Sequence, residues 1–512
     1  MVDHLDVHRG RYADSVSLMQ VSRRVADVSG VTSALVAMAT ELNLDVLTGM
    51  GFAAPDAGPN DLVVAIRADD DAAVTAALDE LETALAAGHG AGATGGGFGD
   101  GPPPRTVRDA AGAAADADLV LVSTPGEHAY LEALDAVRAG RHVMLVSDNV
   151  SLDAEIALKR EAADRGLLVM GPDAGTAMVA GVGLGFANVV RPGPVGIVAA
   201  SGTGAQQLTC LLDDAGVGVS HVLGVGGRDL SAAVGGAATL QALAALDADP
   251  ATDLIVLLSK PPDQAVAERV RAAAAACTTP VVAGLLGPGQ DDLTALAATV
   301  VTRVGGTVPD WASWQPPADT ATDTDARTGA VDRAGGARLV GLFAGGTLCT
   351  EAVLIAREVL GPVVANVGPD ADPAAAGDVT TPGHVLVDLG EDEYTRGRPH
   401  PMIDQQLRLE RLAAEAARAD TAVALLDVVL GHGAHTDPAA ELAPAIADAR
   451  ATAAAAGRDL AVVVSLCATA GDPQGRDRQA ATLVEAGAHV YVSNAAAARA
   501  AVARLATTSR TP

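Results

Sequence analysis

Two short stretches place small and hydroxyl-bearing residues where a strand would hand over to a helix. The first is GPVGIVAASGTGAQQLTCLLDDAG, Gly193 to Gly216, with Ser201, Gly202, Thr203 and Gly204 in the turn. The second is ARLVGLFAGGTLCTEAVLIAREVLG, Ala337 to Gly361, with Gly345, Gly346 and Thr347 at the matching place. At such a junction the free N–H groups and the positive helix end point at one spot, which suits an anion. Glycine lets a phosphate approach the backbone, and a serine or threonine hydroxyl adds a donor. For either stretch taken singly, a tight connection with a hydroxyl cap fits as well; the repetition favours anion binding. Neither stretch is a Walker loop, G-x-x-x-x-G-K-S/T, and neither is a G-x-G-x-x-G fingerprint with an acidic ribose partner, which argues against ATPase and dehydrogenase chemistry.

Further candidates stand at other strand ends. GVGGRDL offers Arg228 beside Asp229, readable as an anion clamp or as a surface ion pair. Lys260, in LLSKPPD, is one of two lysines in a chain that otherwise uses arginine; it would contact a phosphate or carbonyl oxygen, or simply be solvated. Near the carboxyl terminus, DLGEDEYTRGRPHPMID, LLDVVLGHGAHTDPA and SLCATAGDPQGRDRQ each follow an apolar strand. They supply Arg396, Arg398 and His400, then Asp427, His432 and Asp437, then Asp472, Gln474 and Arg476. Converging over one sheet edge, these would provide a proton donor, an acceptor and an anion clamp, with Lys260, His400, Asp427 and His432 as the catalytic candidates. Each histidine also fits a hydrogen-bonded structural role.

The elements needed to position these residues are legible. With 512 residues, 49% hydrophobic and only 2% aromatic, the core must be built from Ala, Val and Leu, which suits parallel strands covered by helices. Residues 1–87 read as a small α+β module, with a helix at DSVSLMQVSRRVADV, strands at VTSALVAMA and DLVVAIRA, and a helix at DAAVTAALDELETALAA. A glycine-rich linker is expected at 88–104 and a polar one at 316–337. Between and beyond them, residues 105–192 form a Rossmann-like domain, and 193–315 and 338–512 form two flavodoxin-like parallel-sheet domains of one shared fold. Superposition should align Ser201–Thr203 with Gly345–Thr347.

The net charge of −29, from 63 acidic and 34 basic residues, repels nucleic acid and anionic lipid. Four cysteines without C-x-x-C spacing indicate reduced thiols and no metal site. The absence of an apolar signal core or of a run of about 18 apolar residues points to a cytoplasmic protein.

Taken in order, YADSVSLMQVSRRVADVSGVTSALVAMATELN, GLLVMGPDAGTAMVAGVGLGFANVV, GIVAASGTGAQQL, GVGGRDLS, LLSKPP, GLFAGGTLCTEA and DLGEDEYTRGRPHPMID resemble the FdrA family over nearly the whole chain. That family is similar to the succinyl-CoA synthetase superfamily, whose α-subunit joins a CoA-binding domain to flavodoxin-like ligase domains. The resemblance implies a phosphohistidine in a G-H-A-G-A loop after a strand like TPVVAGLLG, but here PGQDDLTALAATVV follows, and no histidine occurs between His221 and His384. Without that nucleophile, phosphate cannot be carried from ATP in the ligase's manner. The different amino terminus also weakens the case for a CoA or nucleotide site, so no cofactor is required. What remains suits a substrate that is already an acyl or carbamoyl phosphate. The resemblance further implies a subunit of a hetero-oligomeric transferase of the oxamate carbamoyltransferase type, in allantoin or purine nitrogen catabolism. The alternatives are an acyl-CoA synthetase of the succinyl-CoA ligase type and a non-catalytic ligand-binding scaffold.

Overall fold

The computed structural model describes residues 1–11, 13, 15–90, 104–260, 262–317, 337–368, 370–395 and 398–508. Most of both expected linkers lies outside the described residues. The chain divides into two units, Met1–Ala154 with Asp392–Pro399, and Glu155–Glu391 with His400–Pro512.

The first unit opens on an antiparallel sheet in the order β1 (Val2–His8), β3 (Leu62–Ala68), β2 (Val31–Met38). Alternation along β3 splits its side chains between two faces. Leu62, Val64 and Ile66 pack with Leu18, Val21 and Val25 of helix α1 (Ser15–Ala26) and Ala77 and Leu81 of α3 (Asp71–Gly90). Val63 and Ala65 instead meet Leu47 of α2 (Glu41–Gly49) and Phe52. The helix–strand–strand–helix reading omitted β1 and α2. Strand β1 reads VDHLDVH, too polar to show a buried face because it is an edge strand bonded only to β3. Helix α2 is short, starting where the Thr40 side chain accepts from Asn43 N. The unit continues with α4 (Val107–Ala113), β4 (Leu119–Val122), α5 (Gly126–Arg138) and β5 (His142–Leu145), with β4 and β5 parallel.

The second unit begins within helix α6 (Leu152–Asp164) and passes through β6 (Val169–Met170), β7 (Thr176–Val179) and β8 (Val182–Gly185). Its first sheet then adds β9 (Pro192–Ala200), α7 (Gly202–Asp214), β10 (Val219–Gly224), α8 (Ala237–Asp247), β11 (Leu254–Ser259), α9 (Gln264–Ala276), β12 (Val281–Leu285) and α10 (Leu293–Arg303). The strand order is β12-β11-β9-β10-β7-β8, parallel from β12 to β10 and closed by the antiparallel β7 and β8.

The second sheet comprises β13 (Ser313–Trp314), β14 (Arg338–Phe343), β15 (Val363–Ala365), β16 (His384–Asp388), β17 (Thr421–Val429), β18 (Ala461–Cys467) and β19 (Ala488–Tyr491). Its order is β13-β19-β18-β17-β14-β16-β15, all parallel except β13. The connecting helices are α11 (Gly346–Leu360), α12 (Pro373–Gly377), α14 (Gln406–Ala417), α15 (Pro438–Ala455), α16 (Arg476–Glu485) and α17 (Asn494–Thr508), while α13 (Asp392–Thr395) belongs to the first unit. One apolar cluster runs through both sheets, from Ile197 and Val256 through Leu208, Leu348 and Val353 to Leu425 and Val463. Its side chains are small, so helices approach strands closely and the two sheets share one core. Among the described residues no helix is long and apolar enough to cross a membrane.

Candidate functional site

Strand β9 ends at Ala200 and α7 starts at Gly202, with Ser201 as its cap and Ser201 Oγ accepting from Gly204 N at 3.0 Å. Strand β14 ends at Phe343 and α11 starts at Gly346, capped by Gly345, which offers no side chain. Both triplets therefore sit at helix starts, at equivalent places in two parallel sheets. The two starts also face each other. Ser201 Oγ lies 2.6 Å from Thr347 Oγ1, and a Cβ placed on Gly345 would fall 2.8 Å from Thr203 Oγ1. The two helix starts read from the sequence are therefore in direct contact through their side chains. Two positive helix ends in such proximity favour negative charge between them.

Charged groups converge on the α11 end of this locus. Lys260 directly follows β11, where Ser259 pairs with Ala200 and so sets the lysine beside Ser201 at the carboxyl edge of the sheet. A Cβ on Gly346 would lie 2.8 Å from Lys260 Nζ and 2.7 Å from Asp388 Oδ2; the bare glycine admits both. Lys260 Nζ also stands 3.9 Å from Glu391 Oε1. Asp388, 3% exposed, is the last residue of β16, and its own peptide is clasped by Asn366, which donates to Asp388 O at 2.7 Å and accepts from Asp388 N at 2.8 Å. Burial, reinforced by the negative charge of Glu391, pushes the Asp388 carboxyl up to about 7, against the pull of Lys260.

Asp427 lies inside β17, fully buried, and accepts from Ala344 N at 2.7 Å, which pins the loop before Gly345. Arg408 of α14, equally buried, donates to Asp427 Oδ1 at 3.0 Å and to Pro401 O at 3.2 Å. Burial raises the Asp427 carboxyl while Arg408 opposes the rise. Asp427 therefore supports the loop through its paired carboxylate. His400 accepts from Met402 N on Nδ1, which leaves the proton of the neutral ring on Nε2. A Cβ on Gly390 would sit 2.7 Å from that Nε2, 2.9 Å from Ala344 O and 3.1 Å from Asp388 Oδ1, so all three atoms border the same glycine. Burial and the Arg408 charge depress His400 to about 4, so at neutral pH it is an uncharged donor.

Other candidates are used differently. Arg228 is an ion-pair partner of Glu155 at 3.0 Å, and Glu155 in turn holds the buried Lys159 at 2.8 Å. Asp229 is buried on Lys159 and accepts from Ala238 N and Thr239 N at the start of α8. Of the two readings of Arg228, anion clamp or ion pair, the structure shows the ion pair, with Glu155. The side chain of His432 is exposed, while its backbone bridges to Ala187. Arg398 is exposed, and its segment groups with the first unit; Arg396 lies outside the described residues. Asp437 receives Gln479 and Arg478, Gln474 ties Gly431 to His435, and Arg476 pairs with Asp214. Asp472 accepts from Asn188 Nδ2, Val189 N and Thr469 N. These four residues brace loops and do not face the helix starts through any of these contacts. Asp388, Glu391, Asn366 and Arg408 escaped the sequence reading; an apolar strand ending in Asp388, with Gly390 and Glu391 next, was the available signal.

Residues 342–504, which hold most of the second parallel sheet and the start of α11, match the CoA-ligase family. Residues 1–98 match the AllF heavy metal-associated domain. Over 492 residues the chain is 37% identical to the uncharacterized protein YahF of Escherichia coli K12, spanning 93% of each, and it belongs to that FdrA/AllF-like family. It is also 27% identical over 204 residues to the ADP-forming sulfoacetate-CoA ligase subunit SauD of Bilophila wadsworthia, covering 38% of this chain and 68% of that one. A solved ATP citrate lyase from Methanothrix soehngenii aligns with 36% of this chain and 31% of its own at 21% identity and a TM-score of 0.32. Residues 1–98 hold no cysteine, and among the described residues no group of three His, Cys, Asp or Glu side chains could hold a metal ion. The thiolate donors that a soft heavy metal would want are therefore missing from the amino-terminal module.

Proposed function

We propose that the chain is a subunit of a group-transfer enzyme that acts on a small acyl phosphate, carbamoyl phosphate in its most specific form, at the paired starts of α7 and α11. The observation that carries this reading is the meeting of Ser201 and Thr347 at 2.6 Å with Lys260 alongside, which gathers two helix ends and an ammonium at one point. An oxyanion there would be met by backbone N–H groups of both helices and by Lys260, which would hold charge that develops as the phosphate leaves. His400, neutral with its proton on Nε2, would donate to a carbonyl or amide oxygen near Asp388. With no histidine between His221 and His384, no phosphohistidine route from ATP is available in that segment, so the phosphate would arrive already bonded to the acyl group. The choice of the carbamoyl group, of oxamate as acceptor and of partner subunits rests on the resemblance to the FdrA family.

Acid–CoA ligation is the second reading, favoured by the CoA-ligase match over residues 342–504. The deciding experiment assays the full chain with and without the proteins encoded beside it, supplying carbamoyl phosphate with oxamate in one arm and ATP, CoA and succinate in the other. Phosphate release confined to the first arm supports carbamoyl transfer. Acyl-CoA formation with an acid-labile phosphoenzyme supports ligation and ends the carbamoyl reading.

A further inference from the structure

The two edges of the amino-terminal sheet are finished differently. On the outer edge of β2, Ser22 Oγ of α1 donates to Val36 O at 3.0 Å and accepts from Val36 N at 2.6 Å, so both backbone groups of Val36 are used away from β3. Alternation along an antiparallel ladder then fixes the rest. Val64, opposite Val36 on one side and Asp6 on the other, turns its N–H and C=O toward β1. Hence Val2, His4, Asp6 and His8 bond to β3, while Asp3, Leu5 and Val7 present their N–H and C=O outward. Val7 N agrees, since it is taken by Asp6 Oδ1 at 2.8 Å. That exposed carboxylate is a local guard which an incoming strand could displace. On the same face of β1 as Asp6, His4 Nε2 has no hydrogen-bond partner among the described residues.

We propose that β1 is the pairing edge for a second copy of this chain, joined antiparallel about a two-fold axis at Leu5, so that two three-stranded sheets continue as one. The proposal does not draw on the group-transfer reading. The outward residues Asp3, Leu5 and Val7 are symmetric about Leu5, so Leu5 exchanges both of its hydrogen bonds with the partner's Leu5, and Asp3 does so with the partner's Val7, as a closed two-fold contact requires. At the intervening positions His4 stands beside the partner's Asp6, and Val2 beside the partner's His8. Val7 N then passes from Asp6 Oδ1 to the partner's Asp3 O, which frees the Asp6 carboxylate for the partner's His4. The alternatives are disfavoured by charge. A slip of the partner strand by two residues in one direction sets Asp6 against the partner's Asp6, and in the other sets His4 against the partner's His4. The register centred on Leu5 places no like charges opposite each other.

Sedimentation velocity of the full chain, without an amino-terminal tag, tests the pairing. A strand pair is smaller than the roughly 1,000 Å² of a stable interface, so association is weak and is followed up to about 100 μM. The net charge of −29 opposes it, and about 0.3 M salt screens that repulsion. The expected result is a concentration-dependent monomer–dimer equilibrium. Leu5→Pro removes an N–H that β3 does not use, and His4→Asp sets like charges opposite each other; each should raise the dissociation constant about tenfold or more. His4→Asp combined with Asp6→His restores opposite charges and should recover the native constant to within about threefold. If Leu5→Pro does not fold, the charge exchange decides. A native chain that stays monomeric to about 100 μM overturns the proposal. Dimers that both single variants leave intact use another surface and overturn it too, and failure of the double variant to recover rules out the register centred on Leu5.

Discussion

Ser201 Oγ and Thr347 Oγ1 lie 2.6 Å apart although 146 residues separate them, and both belong to the first turn of a helix. Ser201 at the same time caps its own helix through Gly204 N. The contact therefore ties the amino end of α7 to that of α11. Ser201→Ala should lose cap and contact together, about 1 to 2 kcal/mol, whereas Thr347→Val should lose only the contact, about 1 kcal/mol or less. Urea denaturation of the single and double variants measures both, and additive losses would mean that the two hydroxyls do not interact.

Lys260 is the cation nearest the α11 start in this arrangement. Lys260→Met should lower carbamoyl-phosphate-dependent turnover by roughly 100-fold or more if the ammonium holds the developing charge. His432→Ala, which alters an exposed side chain, should leave turnover within about twofold of the native rate. Steady-state assay of the two variants side by side checks this, and equal losses would remove Lys260 from the chemistry.

Glu351 of α11 accepts from Leu293 N at 2.6 Å and from Asn494 Nδ2 at 2.6 Å, deep in the shared core. Burial raises its carboxyl to about 7. The unfolded chain releases that proton in the ordinary carboxylate range, while the folded chain keeps it until about pH 7. Stability therefore declines as pH rises from the ordinary carboxylate range to neutrality, by up to about 1.4 kcal/mol per pH unit for this group, and levels off above. Glu351→Gln should flatten that slope in melting curves taken between about pH 5 and 8. An unchanged slope would assign the dependence to other groups.

Asp472 gathers three donors, Asn188 Nδ2, Val189 N and Thr469 N, each at 2.8 Å. Asp472→Ala strands all three in a buried loop junction and should cost about 3 to 5 kcal/mol. Thermal unfolding measures the loss, and one under about 1 kcal/mol would show that water replaces the carboxylate.

What the sequence determined by itself was local. Apolar runs ending in small residues set β9 and β14, and Ser201-Gly202-Thr203 and Gly345-Gly346-Thr347 marked where the helices begin, because caps and glycine approach are properties of a few neighbouring residues. The alternation of strand and helix likewise made the parallel sheets legible. Only the tertiary structure decided which ends meet. It set the two helix starts against each other, brought Lys260 from one sheet and Asp388 from the other to Gly346, and paired Arg228 with Glu155, which also holds Lys159. Such pairings depend on strand order and on how closely small side chains let helices pack, both of which couple residues more than a hundred positions apart. The protonation of Asp388 and His400 is decided in the same way, since a carboxyl or imidazole has its ordinary affinity for protons until burial and distant charges change it.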